Sequence, residues 1–217
     1  MSEQYRIGST DVTTYLRHLQ IIDGAIGIPP LQQDDFVVPG RTGVIAAQPW
    51  WGPRVVTFGG IVTGTNRTAY QANLKELAKL VHNAGRTFNL QRTLATAGTP
   101  STQTTVATSR YLGGLEQVEQ VAPNVGRVAF DVLLLDGYFY DSSSTVLGTV
   151  TATGTVTVGG DAPTQNVSLT YSIGEGSQRI RNAAYPGVGR LTLRPGANVL
   201  TVSGGGNVVV SAKAAWL

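Results

Sequence analysis

The chain of 217 residues contains no cysteine. That removes disulfide frameworks, thiolate metal sites and cysteine nucleophiles at once. Histidine, the usual proton shuttle and metal ligand, occurs only as His18 and His82. His82 falls on the polar side of a helical pattern near Lys75 and Lys79, a solvated position, and His18 stands beside Arg17 with no visible partner. No HExxH, no G-x-S-x-G and no Walker phosphate loop occurs. A glycosidase needs two carboxylates flanking a cleft. The neighbouring sets are Asp34 with Asp35, Glu116 with Glu119, and Asp136 with Asp141, and each is expected in a turn or on an exposed strand face. These absences point away from an enzyme of any class, and no catalytic, cofactor-binding or metal-binding residue is assigned.

Charge is also scarce, at 13% of residues. The formal net charge is +3, with 11 basic and 11 acidic side chains over residues 1–141 against 5 and 2 over 142–217. The basic residues are scattered rather than clustered, which disfavours a nucleic-acid partner. The longest wholly aliphatic run is Val132 to Leu135, far short of a membrane span. The opening MSEQYRIGST is polar and lacks the apolar centre of a signal peptide. The expectation is a soluble protein made in the cytoplasm.

What is abundant is glycine, at 27 residues, with recurring Thr and Val, the composition of a β-rich protein with many tight turns. One stretch breaks that pattern. Arg67 to Ala84 has a helical period, with Tyr70, Leu74, Leu77 and Val81 on one stripe and Lys75 and Lys79 across the wheel. Thr68 with Gln71 offers a capping box, Asn66 competes as N-cap, and Gly85 supplies a stop. Such a helix is marginal alone and needs a sheet to lie on.

The strands meant to receive it are read from alternation. Tyr5 to Ile7 opens the chain, and Val12 to Ile22 is left as strand or bent loop. In Arg54–Gly64, Val56, Phe58 and Val62 share one face, and Gly59-Gly60 suggests a bulge or a close backbone approach. Thr87 to Gln91 leaves the helix as a strand, and Leu94 to Ser109 is either a mobile loop or an extended hairpin arm. Arg110 to Val121 is a further strand. In Arg127 to Tyr140, Val128, Phe130, Val132 and Leu134 alternate with Arg127, Ala129, Asp131 and Leu133. The turn Pro39-Gly40-Arg41-Thr42-Gly43 reads as a shaped tight turn, either a simple hairpin end or a contact surface. Trp50 and Trp51 are adjacent, so on an extended chain one reaches the core and the other a rim or a neighbour.

A Ser142-Ser143-Ser144 run marks a boundary. Beyond it, strands are expected over 149–158 and 167–173, then at Arg179–Asn182, Arg190–Leu193, Val199–Val202 and Val208–Trp216. Short strands without a helix read as a β-sandwich. The division is residues 1–144 and residues 145–217, and the fold class is mainly β.

The order of these features resembles a known family. The Pro39–Gly43 turn is followed by Arg54–Gly64 and the helix. Next come the strand with FNLQR (Phe88 to Arg92), the strand RVAFDVLLLDGYFYD (Arg127 to Asp141) and the late LRPGANVLTV (Leu193 to Val202). The chain looks like the distal tail protein, a minor tail protein, of long-tailed phages with non-contractile tails, especially those infecting actinobacteria. The resemblance covers essentially the whole chain. The family often has Asp-Pro where this chain has Asp136-Gly137, which leaves a turn but fixes the backbone less.

The resemblance implies a first domain similar to tail-tube subunits, a split β-barrel or sandwich with one packed helix, assembling as a homo-hexameric ring. It implies a galectin-like C-terminal sandwich outside that ring. The ring would join tail tube protein to tail hub protein at the virion tail tip, with the tape-measure protein inside. Pro39, Gly40, Arg41, Thr42, Gly43, Trp50 and Trp51 are the expected interface residues, and Leu94–Ser109 an arm for a neighbour. The alternative is a carbohydrate-binding module for host surface glycans over residues 145–217. Tyr171, Tyr185 and Trp216 are the only aromatics available to it, and alternation puts Tyr171 on a packed face.

Overall fold

A computed structural model describes residues 3–24, 28–32, 36–37, 44–45, 50–82, 87–95, 102–172, 179–183 and 190–217. The chain divides into two compact units, Met1–Tyr138 and Phe139–Leu217.

The first unit runs β1 (Gln4–Ile7), β2 (Thr10–Asp11), β3 (Arg17–Asp23), β4 (Leu31–Gln32), β5 (Phe36–Val37), β6 (Val44–Ile45), β7 (Trp50–Trp51), β8 (Arg54–Thr63), α1 (Arg67–His82), β9 (Phe88–Ala95), β10 (Thr102–Ala122) and β11 (Val125–Leu134). Its main sheet is antiparallel in the order β2-β1-β9-β10-β11-β8-β3, and among the described residues this path stays open rather than closing into a barrel. Alternation decides what faces inward. β8 and β11 pair without a register shift from Thr63↔Val125 to Arg54↔Leu134, so Val56, Phe58 and Val62 stand beside Val132, Phe130 and Gly126 on one face. Phe58 stacks on its cross-strand partner Phe130 at 5.2 Å between ring centres, and Tyr5 meets Phe58 edge-on at 5.3 Å.

The glycine pair in β8 marks a close approach. A Cβ on Gly60 would fall 2.5 Å from the Leu16 side chain, while the irregular register lies on β3, between Arg17 and Gln20 and again between Ile21 and Asp23. The segment left undecided over 12–22 is a 3-10 turn, Val12–Thr14, followed by β3. Asp11 caps that turn by accepting from Thr13 N at 2.8 Å. The stretch 94–109 enters a hairpin: β9 and β10 pair from Ala95↔Thr102 to Phe88↔Ser109. Residues 102–122 form one continuous strand, with register shifts around Gly113 and Gly114, both at positive φ.

The helix packs against β8 and β10, with Tyr70, Leu77 and Val81 buried. Each such side chain contributes about 1.5–3 kcal/mol, the stabilisation an isolated helix of this length lacks. Its start is fixed by hydrogen bonds. Gly64 N donates to Asn124 O at 2.9 Å and Asn124 Nδ2 donates to Gly64 O at 2.7 Å, which ties the end of β8 to the β10–β11 turn. Asn66 Oδ1 then accepts from Ala69 N at 2.8 Å, so the cap is Asn66 rather than the Thr68–Gln71 box. The expected stop at Gly85 lies outside the described residues.

The second unit comprises β12 (Phe139–Asp141), β13 (Thr145–Val150), β14 (Thr153–Val158), β15 (Val167–Tyr171), β16 (Arg179–Asn182), β17 (Gly196–Ser203), β18 (Val208–Ala212) and β19 (Ala215–Trp216). Two three-stranded antiparallel sheets, β13-β18-β15 and β14-β17-β16, contribute to one buried cluster that includes Val150, Val156, Leu200, Val202, Val208 and Val210. β12 pairs β19. The expected strand over 149–158 is two strands broken at Thr151-Ala152, where Ala152 O accepts from Val202 N at 2.7 Å. Arg190–Leu193 is not a strand; Leu193 forms a single two-way bridge with Thr164. The run 208–216 is interrupted at Lys213-Ala214, where Lys213 N turns to Asn166 O.

Candidate functional site

Of the expected interface residues, Trp50 and Trp51 fall on a short described ladder of the first unit. Pro39, Gly40, Arg41, Thr42 and Gly43 lie outside the described residues, between β5 and β6, which pair as Phe36↔Ile45 and Val37↔Val44. Trp50 and Trp51 form β7, which pairs with β4 as Gln32↔Trp50 and Leu31↔Trp51. Among the described residues no strand pairing brings the two ladders together.

The β4–β7 ladder sits beside uncovered apolar surface, since Ile28 is 70% and Leu31 55% exposed. Large apolar side chains grouped this way are a feature of contact surfaces. Its position is set by glycine. Gly137 takes φ +72°, and a Cβ there would lie 2.6 Å from Gly52 O. Gly137 N also donates to Leu134 O at 3.3 Å. Proline can adopt neither that φ nor that bond, so the position suits Gly and excludes Pro.

Alternation also places a feature that the sequence reading passed over. Arg54 precedes Val56 and Phe58 on the inward face of β8, and Arg92 follows Phe88 and Leu90 on that of β9; both arginines are buried. Tyr5 pairs with Arg92 across β1 and β9 and donates to Glu3 Oε2 at 2.7 Å. Burial, then the hydrogen bond and negative charge of Glu3, push the Tyr5 phenol well above its ordinary range. Burial and the neighbouring Arg92 charge push the Arg54 guanidinium down. The signal was available, because period two assigns these arginines to the same side as their apolar neighbours.

A polar pocket of about 310 Å³ is lined by Thr14, Tyr15, Arg17, Thr63 and Asn73, with Gly64 and Thr65. His18, which follows Arg17 in the sequence and is not among the lining residues, takes φ 51°. The lining has hydroxyl, amide and guanidinium groups and no carboxylate or imidazole, so it offers no acid–base pair. Among the described residues no group of three or more His, Asp or Glu side chains could hold a metal ion, and no helix is long and apolar enough to cross a membrane. The exposed helix face carries Lys75, Lys79 and His82, with Lys79 paired to Glu76. In the second unit, Tyr171 and Trp216 are partly buried against the core cluster, and Tyr185 lies outside the described residues.

No family model and no curated protein matches the sequence. Solved structures do. The SPP1 Dit protein, described as a paradigm of hub adsorption apparatus in phages infecting Gram-positive hosts, is 14% identical; the match covers 98% of this chain and 99% of that one, with a TM-score of 0.61. Chains of the phage P2 baseplate, in its activated conformation with Ca and with Sr, are each 9% identical. They cover 99% and 98% of this chain and 98% of theirs, with TM-scores of 0.46 and 0.45. The chain therefore shares its fold, along nearly its full length, with SPP1 Dit.

Proposed function

We propose that the protein is a non-enzymatic structural component of a phage tail tip, a distal tail protein that forms a hexameric ring between tail tube and tail hub. The observation that carries this reading is the likeness to SPP1 Dit over both units rather than one. In this reading residues 1–144 form the ring as a split barrel carrying the helix, and residues 145–217 form a galectin-like sandwich outside it. Tape-measure protein occupies the lumen, and the Pro39–Gly43 turn with Trp50 and Trp51 supplies subunit contacts. The exposed Ile28 and Leu31 beside β7 support that contact surface, since closed rings bury matching apolar patches between copies.

Light scattering on the purified chain tests the ring. The expected species has six times the 22.8 kDa mass of the chain. Some rings close only on a template, so virion imaging is the decisive measurement: a six-fold collar at the tail tip, labelled by antibody to this chain, is expected. Label along the tail tube or on the capsid overturns the reading.

A further inference from the structure

The second unit carries an ordered cationic face that the assembly reading leaves unused. In the sheet β14-β17-β16, alternation sends Val156, Val158, Leu200 and Val202 inward and leaves a polar outer row. Thr153 pairs with Thr201, and Thr201 with Arg181, so one row across three strands reads Thr-Thr-Arg. The next row along β16 pairs Ser203 with Arg179. Thr155 and Thr157 extend the hydroxyls along β14, and all of these side chains are exposed.

Two arginines thus stand on one edge strand, two residues apart and on the same side. Neither Arg179 nor Arg181 has a carboxylate partner among the described residues. A third cation, Arg194, marks the opposite end of β17, where its Nε donates to Ala197 O at 3.4 Å. At the usual strand rise, Ala197 and Ser203 are about 20 Å apart. The floor beneath is fixed by amides. Asn182 Nδ2 donates to Asn198 Oδ1 at 3.0 Å, and the same oxygen accepts from Arg194 N at 2.9 Å.

The composition of the face selects its occupant. Among the described residues it displays no aromatic side chain on which bases could stack, which disfavours nucleic acid. Val199 is the one large apolar side chain exposed there among the described residues, too little to anchor a protein partner. Guanidinium groups bind carboxylates and phosphates in fork geometry, and rows of hydroxyls suit a polyhydroxylated chain. The charge of residues 142–217, five basic against two acidic, has the complementary sign. We infer that the outer face of the β14-β17-β16 sheet binds a linear anionic polysaccharide, its acid groups on Arg179 and Arg181. This goes beyond the ring reading and holds or fails whatever the oligomeric state.

The test is calorimetric titration of the full chain with a short oligogalacturonate. Binding is expected at low ionic strength and should weaken on raising salt to about 0.15 M, where the screening length is about 8 Å. The double variant R179Q/R181Q should bind about tenfold more weakly, the loss of two charge-assisted contacts. K75Q/K79Q, an equal charge change on the helix, should leave affinity unchanged, and neutral dextran should not bind. Both arginines are exposed, so wild-type circular dichroism is expected, and the single R181Q should show the same change at smaller size. No binding at low salt overturns the inference, as does an equal loss in K75Q/K79Q. Tighter binding of an oligothymidylate of equal charge overturns it in favour of nucleic acid.

Discussion

The two units bury period-two sheet faces with different materials. The first stacks aromatic rings, adds a helix and takes two guanidinium groups inside: Phe58, Phe130 and Tyr5 form one contact chain, and Arg54 and Arg92 are buried. The main core cluster of the second uses Val, Leu and Ala, and the unit's buried polar groups among the described residues are the neutral Thr164, Asn182 and Asn198. A neutral amide closes its own hydrogen bonds and is indifferent to pH. A buried cation needs compensating groups, and those groups titrate. The first unit should therefore respond to ring truncation and to alkali, and the second to loss of one amide.

The largest effect should come from Phe58→Ala. It removes a fully buried ring that touches Phe130 and Tyr5, at a cost of about 3–5 kcal/mol. Amide exchange read by mass spectrometry should show β8 and β11 losing protection well before β17 and β18. Equal loss in both units would break the comparison, because it would make the two cores one cooperative body.

The second unit has its own single point of failure. Asn198 accepts from Arg194 N and Asn182 Nδ2, and donates to Arg194 O at 2.8 Å and Gly196 O at 3.0 Å. Asn198→Ala leaves several of these groups without a partner, for about 3 kcal/mol in urea denaturation. The loss should be the same at pH 6 and pH 9, as the comparison requires of a neutral network.

Alkali separates the units in the other direction. The Tyr5 phenol ionises above its ordinary value of 10.0 because burial, first, and Glu3, second, oppose the anion. Its folded pKa exceeds the unfolded one, so its contribution is fully present below pH 10 and is lost as pH rises through the window above. Wild-type urea midpoints followed through β8 and β11 should fall more steeply above pH 10 than those of Tyr5→Phe. Parallel slopes would show that the buried phenol does not set the alkaline limit.

Much of this contrast was legible in the sequence. Val128 to Leu134 and Val56 to Phe58 alternate as they pack, because both faces of a β8–β11 pair inherit one register. The same alternation placed Arg54 and Arg92 inward, but a charged residue is read by default as exposed, so the cluster was missed. The break at Thr151-Ala152 carries neither Gly nor Pro, and its cause is a distant bond, Val202 N to Ala152 O. Leu193 has strand composition but its partner, Thr164, meets it only once. Pairing between segments far apart in the chain decided each of these, and local pattern does not encode it. Of the proposed contact residues, Trp50 and Trp51 stand out in the sequence by type, whereas the exposed Ile28 and Leu31 have no periodic signature.

The smallest effect concerns the helix, an element found only in the first unit among the described residues. Both Asn66 and the Thr68–Gln71 pair are plausible caps for α1 by residue type, but only Asn66 is followed by the required bond, to Ala69 N. Asn66→Ala should cost about 1 kcal/mol. Thr68→Ala, two residues on and exposed, should stay within about 0.5 kcal/mol of wild type. Urea midpoints of the two variants, followed through exchange in α1, decide between them. The reverse order would mean that the helix begins a residue or two later than Arg67, with Gly64 and Asn124 anchoring a longer link than the bonds between them require.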